Sequence, residues 1–199
     1  MTLPAKIGAS SLAFGGTAAA GYYAVSHYSS EDKSYRGKFL SISLLNTVSG
    51  DDSYWTKRLE SLKKDSEASS GLSSIKTKTI EDLRGWCKDS LSRQFEEGKL
   101  FKEIDSYCTF KVLDKLGSNA IPETTADGDS KWKTAFDALG KIAEHLGEEL
   151  EGIKKTQDSG SNNATKVAVK GWCKKMYSET YKGDSDKLFE VAKKVCVSA

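Results

Sequence analysis

The chain has 199 residues, with 30 basic and 28 acidic side chains, 38% hydrophobic residues and 2 prolines. That length holds one domain, or two small ones, plus appendages. Abundant Leu, Lys, Glu and Ala beside so few prolines favour helix over sheet. The lysines alternate with Glu and Asp as on a solvated helix face, without the clustered positive stripe of a nucleic-acid binder, so no nucleic-acid partner is expected.

Residues 1–30 stand apart as a membrane-anchor or signal segment. Lys6 is the only charged residue before Glu31, and positions 7–26 carry no charge. A helix of that length, at about 1.5 Å per residue, just spans a hydrocarbon core of about 30 Å. Its large apolar members are few (Ile7, Leu12, Phe14, Tyr22, Tyr23 and Val25), and Ala, Gly and Ser fill most of the rest. The leading reading is a single-pass anchor through residues 7–26, with the Lys6 end inside and the body outside. A cleaved signal peptide is a second reading, with Ala18, Ala19 and Ala20 as small residues for a peptidase. The third is a soluble helix packed on the body, because Gly15, Gly16 and Gly21 weaken a spanning helix.

Self-comparison exposes an internal repeat. Gly85-Trp86-Cys87-Lys88 recurs as Gly171-Trp172-Cys173-Lys174, 86 positions on. Thr79 and Thr165, and Ser92 and Ser178, keep that offset; Leu100-Phe101 recurs as Leu188-Phe189, and Cys108 as Cys196, at 88. Upstream, Gly50-Asp51-Asp52-Ser53-Tyr54-Trp55 has a counterpart in Gly128-Asp129-Ser130-Lys131-Trp132. The ordered series implies a duplicated unit, with residues 31–116 as the first helical repeat, 117–128 as a Pro122-containing linker and 129–199 as the second.

The expected fold is all-α, a small helical bundle in which each repeat supplies three helices. The first helix begins at an Asp/Ser cap and places Trp55, Leu59 and Leu62 on one face. Its counterpart begins with Trp132, Phe136 and Leu139 and is predicted to run on through Ile142, Leu146, Leu150 and Ile153. Ser-, Gly- and Asn-rich stretches at 65–77 and 156–163 read as polar loops. The second helix carries Trp-Cys, a turn follows near Gly98 or Gly183, and the third helix carries the last Cys. Segment 39–48 reads as helix in preference to a short strand.

The four cysteines are the most specific feature. Cys87 and Cys108 lie 21 apart with their midpoint beside Gly98, and Cys173 and Cys196 lie 23 apart with theirs beside Gly183. Residues equidistant from the turn of an antiparallel hairpin share one height, so each pair is expected face to face at disulfide range. Closing such a loop adds on the order of 3 kcal/mol, a large increment for a small helical unit. An exported chain with an even cysteine count fits that pairing. Buried reduced thiols beside core tryptophans remain the alternative. Spacing disfavours structural zinc and a redox dithiol, since neither close-spaced cysteine pairs nor Cys-x-x-Cys occur. Trp55, Trp86, Trp132 and Trp172 read as core anchors.

Familiar catalytic motifs are missing. His27 borders the apolar segment, and His145 falls beside an apolar stripe and is expected in solvent. Neither belongs to His-Glu-x-x-His, and no Gly-x-Ser-x-Gly elbow, phosphate loop or dinucleotide fingerprint occurs. Glu148, Glu149 and Glu151 read as a solvated acidic face. Asn163-Ala164-Thr165 matches a glycosylation acceptor. No catalytic residue, metal ligand, cofactor or small-molecule substrate is assigned, and the expectation is a protein that is not an enzyme.

The Tyr54-Trp55-Thr56-Lys57-Arg58-Leu59 helix, the Leu83-x-x-Trp86-Cys87 helix and the Tyr107-Cys108-Thr109 ending resemble large paralogous families of short, uncharacterised, membrane-anchored proteins of haemotropic mycoplasmas. There too a Gly/Ala-rich apolar segment precedes the body, and the likeness covers nearly the whole chain. Cys196 departs from it, flanked by Val195 and Val197 where Cys108 has Tyr and Thr. The resemblance implies a protein tethered to the single membrane of a wall-less parasite, with a role in surface variation or host contact. The expected partners are therefore the membrane and a host or cellular protein. A membrane-tethered intracellular scaffold that binds a protein partner is the alternative expectation.

Overall fold

The structure is a computed structural model that describes residues 32–156 and 163–198. The anchor or signal reading of residues 1–30, and most of the loop expected at 156–163, lie outside the described residues. Among those residues the chain is all-α. The helices are α1 (Asp52–Lys64), α2 (Ser70–Ser73), α3 (Ile80–Ser92), α4 (Lys99–Cys108), α5 (Val112–Leu116), α6 (Ser130–Gly140), α7 (Glu148–Lys154), α8 (Ala164–Ser178) and α9 (Lys187–Val195). Short 3-10 turns cover Arg36–Lys38, Ser41–Ser43 and Gly117–Asn119. Among the described residues, extended backbone pairs only at isolated antiparallel bridges: Ser34 with Gln94, Leu44 with Thr109, Lys111 with Thr180 and Ala120 with Val197.

Local sequence explains where the main helices begin. Thr79 and Asp82 cap α3: the Thr79 amide donates to the Asp82 carboxylate at 3.1 Å, and the Thr79 hydroxyl donates to it at 2.9 Å. The Asp129 carboxylate accepts from the Lys131 amide at 2.9 Å to start α6, and Asp186 accepts from the Phe189 amide at 3.0 Å to start α9. These acids satisfy donors that lack partners at a helix start and oppose the positive end of its dipole. Gly98 ends the connection before α4, and Gly183 lies within the connection before α9 with φ +111, a conformation that favours glycine.

Helical spacing then builds the core. Trp55, Leu59 and Leu62 are buried on α1, as are Leu83, Cys87 and Leu91 on α3, and Trp132, Ala135 and Leu139 on α6. α1 packs on α3 and α4, which also pack on each other; α6 packs on α8 and α9, and α5 lies on α8. The buried apolar residues join into one continuous cluster.

Four local expectations are corrected. Segment 39–48 is not a helix: only Ser41–Ser43 forms a 3-10 turn, and the backbone pairs instead with the end of α4. The Leu45 amide donates to the Cys108 carbonyl at 3.0 Å, and the Phe110 amide donates to that of Ser43 at 2.7 Å. The Asn46 side chain then accepts from the amides of Val48 and Ser49, at 2.9 and 3.3 Å, and turns the chain away from helix.

The long helix expected through Ile153 breaks after Gly140 and restarts at Glu148, directly after Gly147, which takes φ +90. Lys154 donates to the Ile142 and Glu144 carbonyls at 2.8 and 3.3 Å, and Glu151 accepts from the Leu146 amide at 3.2 Å. Backbone groups freed by the break thus find side-chain partners. Leu139 and Leu150 still reach the core, each from its own helix.

Segment 65–77 is more than a polar loop. It contains α2, whose Leu72 is wholly buried, and Ile75 is buried after it. Asp65 accepts from the Tyr107 hydroxyl at 2.5 Å, and Glu103 accepts from the Ser69 amide at 2.7 Å, so the start of the segment is held to α4. Segment 117–128 likewise does more than connect: it opens with a 3-10 turn and buries Ala120 and Ile121. The five-residue α5 before it was not expected.

Candidate functional site

The two cysteine pairs are the first feature to place. Each pair starts from two amphipathic helices folded back on one another, so its sulfurs meet in the apolar seam between them. Cys87 of α3 is joined to Cys108 of α4 with a Cα–Cα distance of 5.6 Å, and Cys173 of α8 to Cys196 at the end of α9 with 5.5 Å. All four cysteines are 0% exposed. Their sulfurs are taken up in disulfides and offer no thiolate to a metal or an electrophile. Among the described residues, no three His, Cys, Asp or Glu side chains gather as metal ligands would.

The tryptophans divide three to one. Trp55, Trp132 and Trp172 are buried, whereas Trp86 is half-buried at the rim beside α2, where a methyl group added at Gly71 would meet its indole nitrogen at 3.6 Å. The Trp55 indole N–H donates to the Asn46 carbonyl at 3.1 Å, and that of Trp132 to the Thr125 carbonyl at 3.4 Å. Each of these two rings therefore fills the core and also pins the backbone ahead of its own helix.

A polar cluster that sequence reasoning missed lies between the two disulfide-bonded hairpins. Arg58 on α1 pairs with Asp114 on α5, and its guanidinium also donates to the Thr109 carbonyl at 3.0 Å. Both side chains are almost fully shielded, at 8% and 3% exposed. Asp114 also accepts from the Lys111 amide at 2.8 Å. The Lys111 ammonium reaches Asp105 at 3.1 Å and the Thr180 hydroxyl at 2.9 Å, and burial pulls its pKa below the ordinary lysine value despite the Asp105 carboxylate beside it. Thr180 in turn donates to Asp105, and the Ser43 hydroxyl donates to the Tyr181 carbonyl at 2.5 Å. Charges out of water are tolerated only when paired and hydrogen-bonded, as they are here. One signal in the sequence could have found this cluster: Arg58 stands three residues after Trp55, on the apolar stripe of α1.

Two buried tyrosines are strongly perturbed as well. The Tyr177 hydroxyl lies 2.8 Å from the carbonyl oxygens of Ile121 and Cys196, and burial, with the Glu123 charge adding to it, pushes its pKa up to about 12. Tyr107 is raised further, by burial first and then by its bond to Asp65. The same bond, helped by the Glu67 amide, holds the Asp65 carboxyl below the usual range. These groups are locked to structural partners.

The remaining candidates lie at the surface. His145, on the α6–α7 connection, has a 76% exposed side chain 3.8 Å from Glu151. Glu149 pairs with Lys175 at 2.9 Å on a solvated face, whereas Glu151 and Lys154, 3.0 Å apart, are half-buried against the α6–α7 connection. In the Asn163-Ala164-Thr165 triplet, Asn163 caps α8 and Thr165 is buried. Comparison of the chain with protein-family models, with curated proteins and with solved structures finds no match in any of the three.

Proposed function

We propose that this is a non-enzymatic helical protein displayed on the outer face of a membrane, tethered through residues 7–26 and engaged in host contact or surface variation. One observation carries the reading: every cysteine of the chain lies in a fully buried disulfide. Such bonds form and persist where thiols are oxidised, which supports a body outside the cytosol. The uncharged stretch behind Lys6, followed by the charged residues from Glu31 onward, suits an anchor whose short end stays inside. The likeness to the mycoplasma families supports the surface role. Among the described residues no helix is long and apolar enough to cross a membrane. Exposed tips such as Val48, 81% exposed, would meet a host molecule first.

Labelling of intact cells with a membrane-impermeant amine reagent tests the proposal, with non-reducing peptide mapping of the recovered protein. Lys64, Lys102 and Lys141 are exposed and are expected to label on intact cells, on chains that carry both disulfides. Labelling that requires lysis, or four free thiols in freshly trapped material, would overturn it and favour an inward-facing scaffold.

A further inference from the structure

We infer that the body is a tandem of one module, residues 33–110 and 110–198, joined at Phe110 without any linker and locked there by the buried Arg58–Asp114 and Lys111–Asp105–Thr180 contacts. This module frame differs from the one read in the sequence: residues 111–128 become the entry arm of the second module. The inference does not depend on which side of a membrane the protein occupies.

The argument is a one-to-one match of contacts. In the first half, the Phe95 amide donates to Lys33 and the Tyr35 amide to Arg93; in the second, Tyr181 donates to Phe110 and Val112 to Glu179. Further along, Leu45 donates to Cys108 and Phe110 to Ser43, and their counterparts are Ile121 to Cys196 and Ser198 to Asn119. Positions on the arm shift by 76 or 77 residues, and those on the hairpin by 86 or 88, throughout the set. Trp55 and Trp132, bonded back to the chain ahead of them, keep the arm's offset. Side chains follow. Phe95 meets Phe101 edge-on at 5.5 Å, as Tyr181 meets Phe189 at 4.9 Å, and Lys38 lies 4.4 Å over Phe95, as Lys115 lies 5.2 Å over Tyr181. Register in extended backbone is discrete, so a coincidental fold would not reproduce it at both ends of both arms.

Phe110 is where the modules meet. Its N–H closes the arm of the first module and its carbonyl opens that of the second. The charges at this junction are used once. The positions matching Arg58 and Asp105 are Ala135 and Lys193, and those matching Lys111 and Asp114 are Ser34 and Gly37. The polar cluster is therefore no part of the module's own fold. It fixes how the second module seats on the first, with a zero-length connection that leaves neither free to swing.

Native-state amide exchange on the full chain tests this. The Cys173→Ala/Cys196→Ala variant is expected to speed exchange of the Ile121, Tyr181 and Ser198 amides by roughly tenfold or more, while the Tyr35, Leu45 and Phe110 amides keep their protection. The Cys87→Ala/Cys108→Ala variant should reverse the pattern, so Phe110 and Tyr181, which share one residue's two backbone groups, part company in both. Equal loss across both sets in either variant, including loss of the whole fold, would overturn the modular frame. Arg58→Met is expected to speed the Val112 and Tyr181 amides and leave Leu45 protected; unchanged exchange at Val112 would overturn the junction's role.

Discussion

The guanidinium of Arg58 and the carboxylate of Asp114, 56 positions apart in the chain, are paired with less than a tenth of either side chain reaching solvent. Arg58 sits on the buried face of α1 beside Trp55, Leu59 and Leu62, and Asp114 meets it from α5. Removing one member would strand the other.

Arg58→Ala is accordingly expected to destabilise the protein by about 3–5 kcal/mol, the cost of leaving a buried charge unpaired. The double variant Arg58→Met/Asp114→Leu should recover most of that, because a well-packed apolar pair removes both charges at once. Urea denaturation of the two variants and the parent checks the ordering. A double variant no more stable than the single one would show that the bonds to Thr109 matter more than the pair.

Each disulfide should contribute about 2–5 kcal/mol. With all four cysteines sealed from solvent, a thiol reductant reaches them only through opening of the hairpin. Reduction followed by mass spectrometry is expected to be slow in buffer and fast in denaturant. Equal rates in the two media would contradict the buried geometry.

The Tyr107–Asp65 bond predicts an acid limb. Asp65 has a depressed pKa in the fold, so its contribution is fully present above the unfolded carboxylate value, near pH 4, and is lost as pH falls through the lower folded value. Tyr107→Phe removes the largest cause of that depression. The variant's stability should therefore fall less steeply with acid than the parent's below about pH 4, as thermal melts across that range would show.

Tyr177 predicts the opposite limb. Its folded pKa of about 12 exceeds the ordinary tyrosine value, so its stabilisation is complete below about pH 10 and drains away as pH climbs toward the folded value. Ultraviolet titration of phenolate absorbance should show a late-titrating component that shrinks by one tyrosine in Tyr177→Phe, leaving that of Tyr107, which is raised further.

Leu72 tests whether segment 65–77 belongs to the core. Leu72→Ala should cost about 2–5 kcal/mol, whereas Val48→Ala, at an 81% exposed tip, should change stability by less than about 0.5 kcal/mol. Chemical denaturation of both variants makes the contrast.

What could be read without coordinates is what depends on period and spacing. Apolar residues three and four apart marked the buried faces of α1 and α6, and cysteines placed symmetrically about Gly98 and Gly183 marked their own partners. A helical hairpin sets height by residue count alone, and count is visible in a linear string. Where the glycines at 140 and 147 compete with a continuing apolar stripe, periodicity misled. The stripe persisted through Leu150, but Lys154 and Glu151 supply hydrogen bonds that make a break affordable. Only the tertiary structure decided which charges leave water and where the extended arms pair. Lys111, Asp105 and Asp114 look like any solvated lysine or aspartate until a second helix pair closes over them. The arm segments gain their hydrogen bonds from residues some 60 to 80 positions away, contacts that no local pattern encodes.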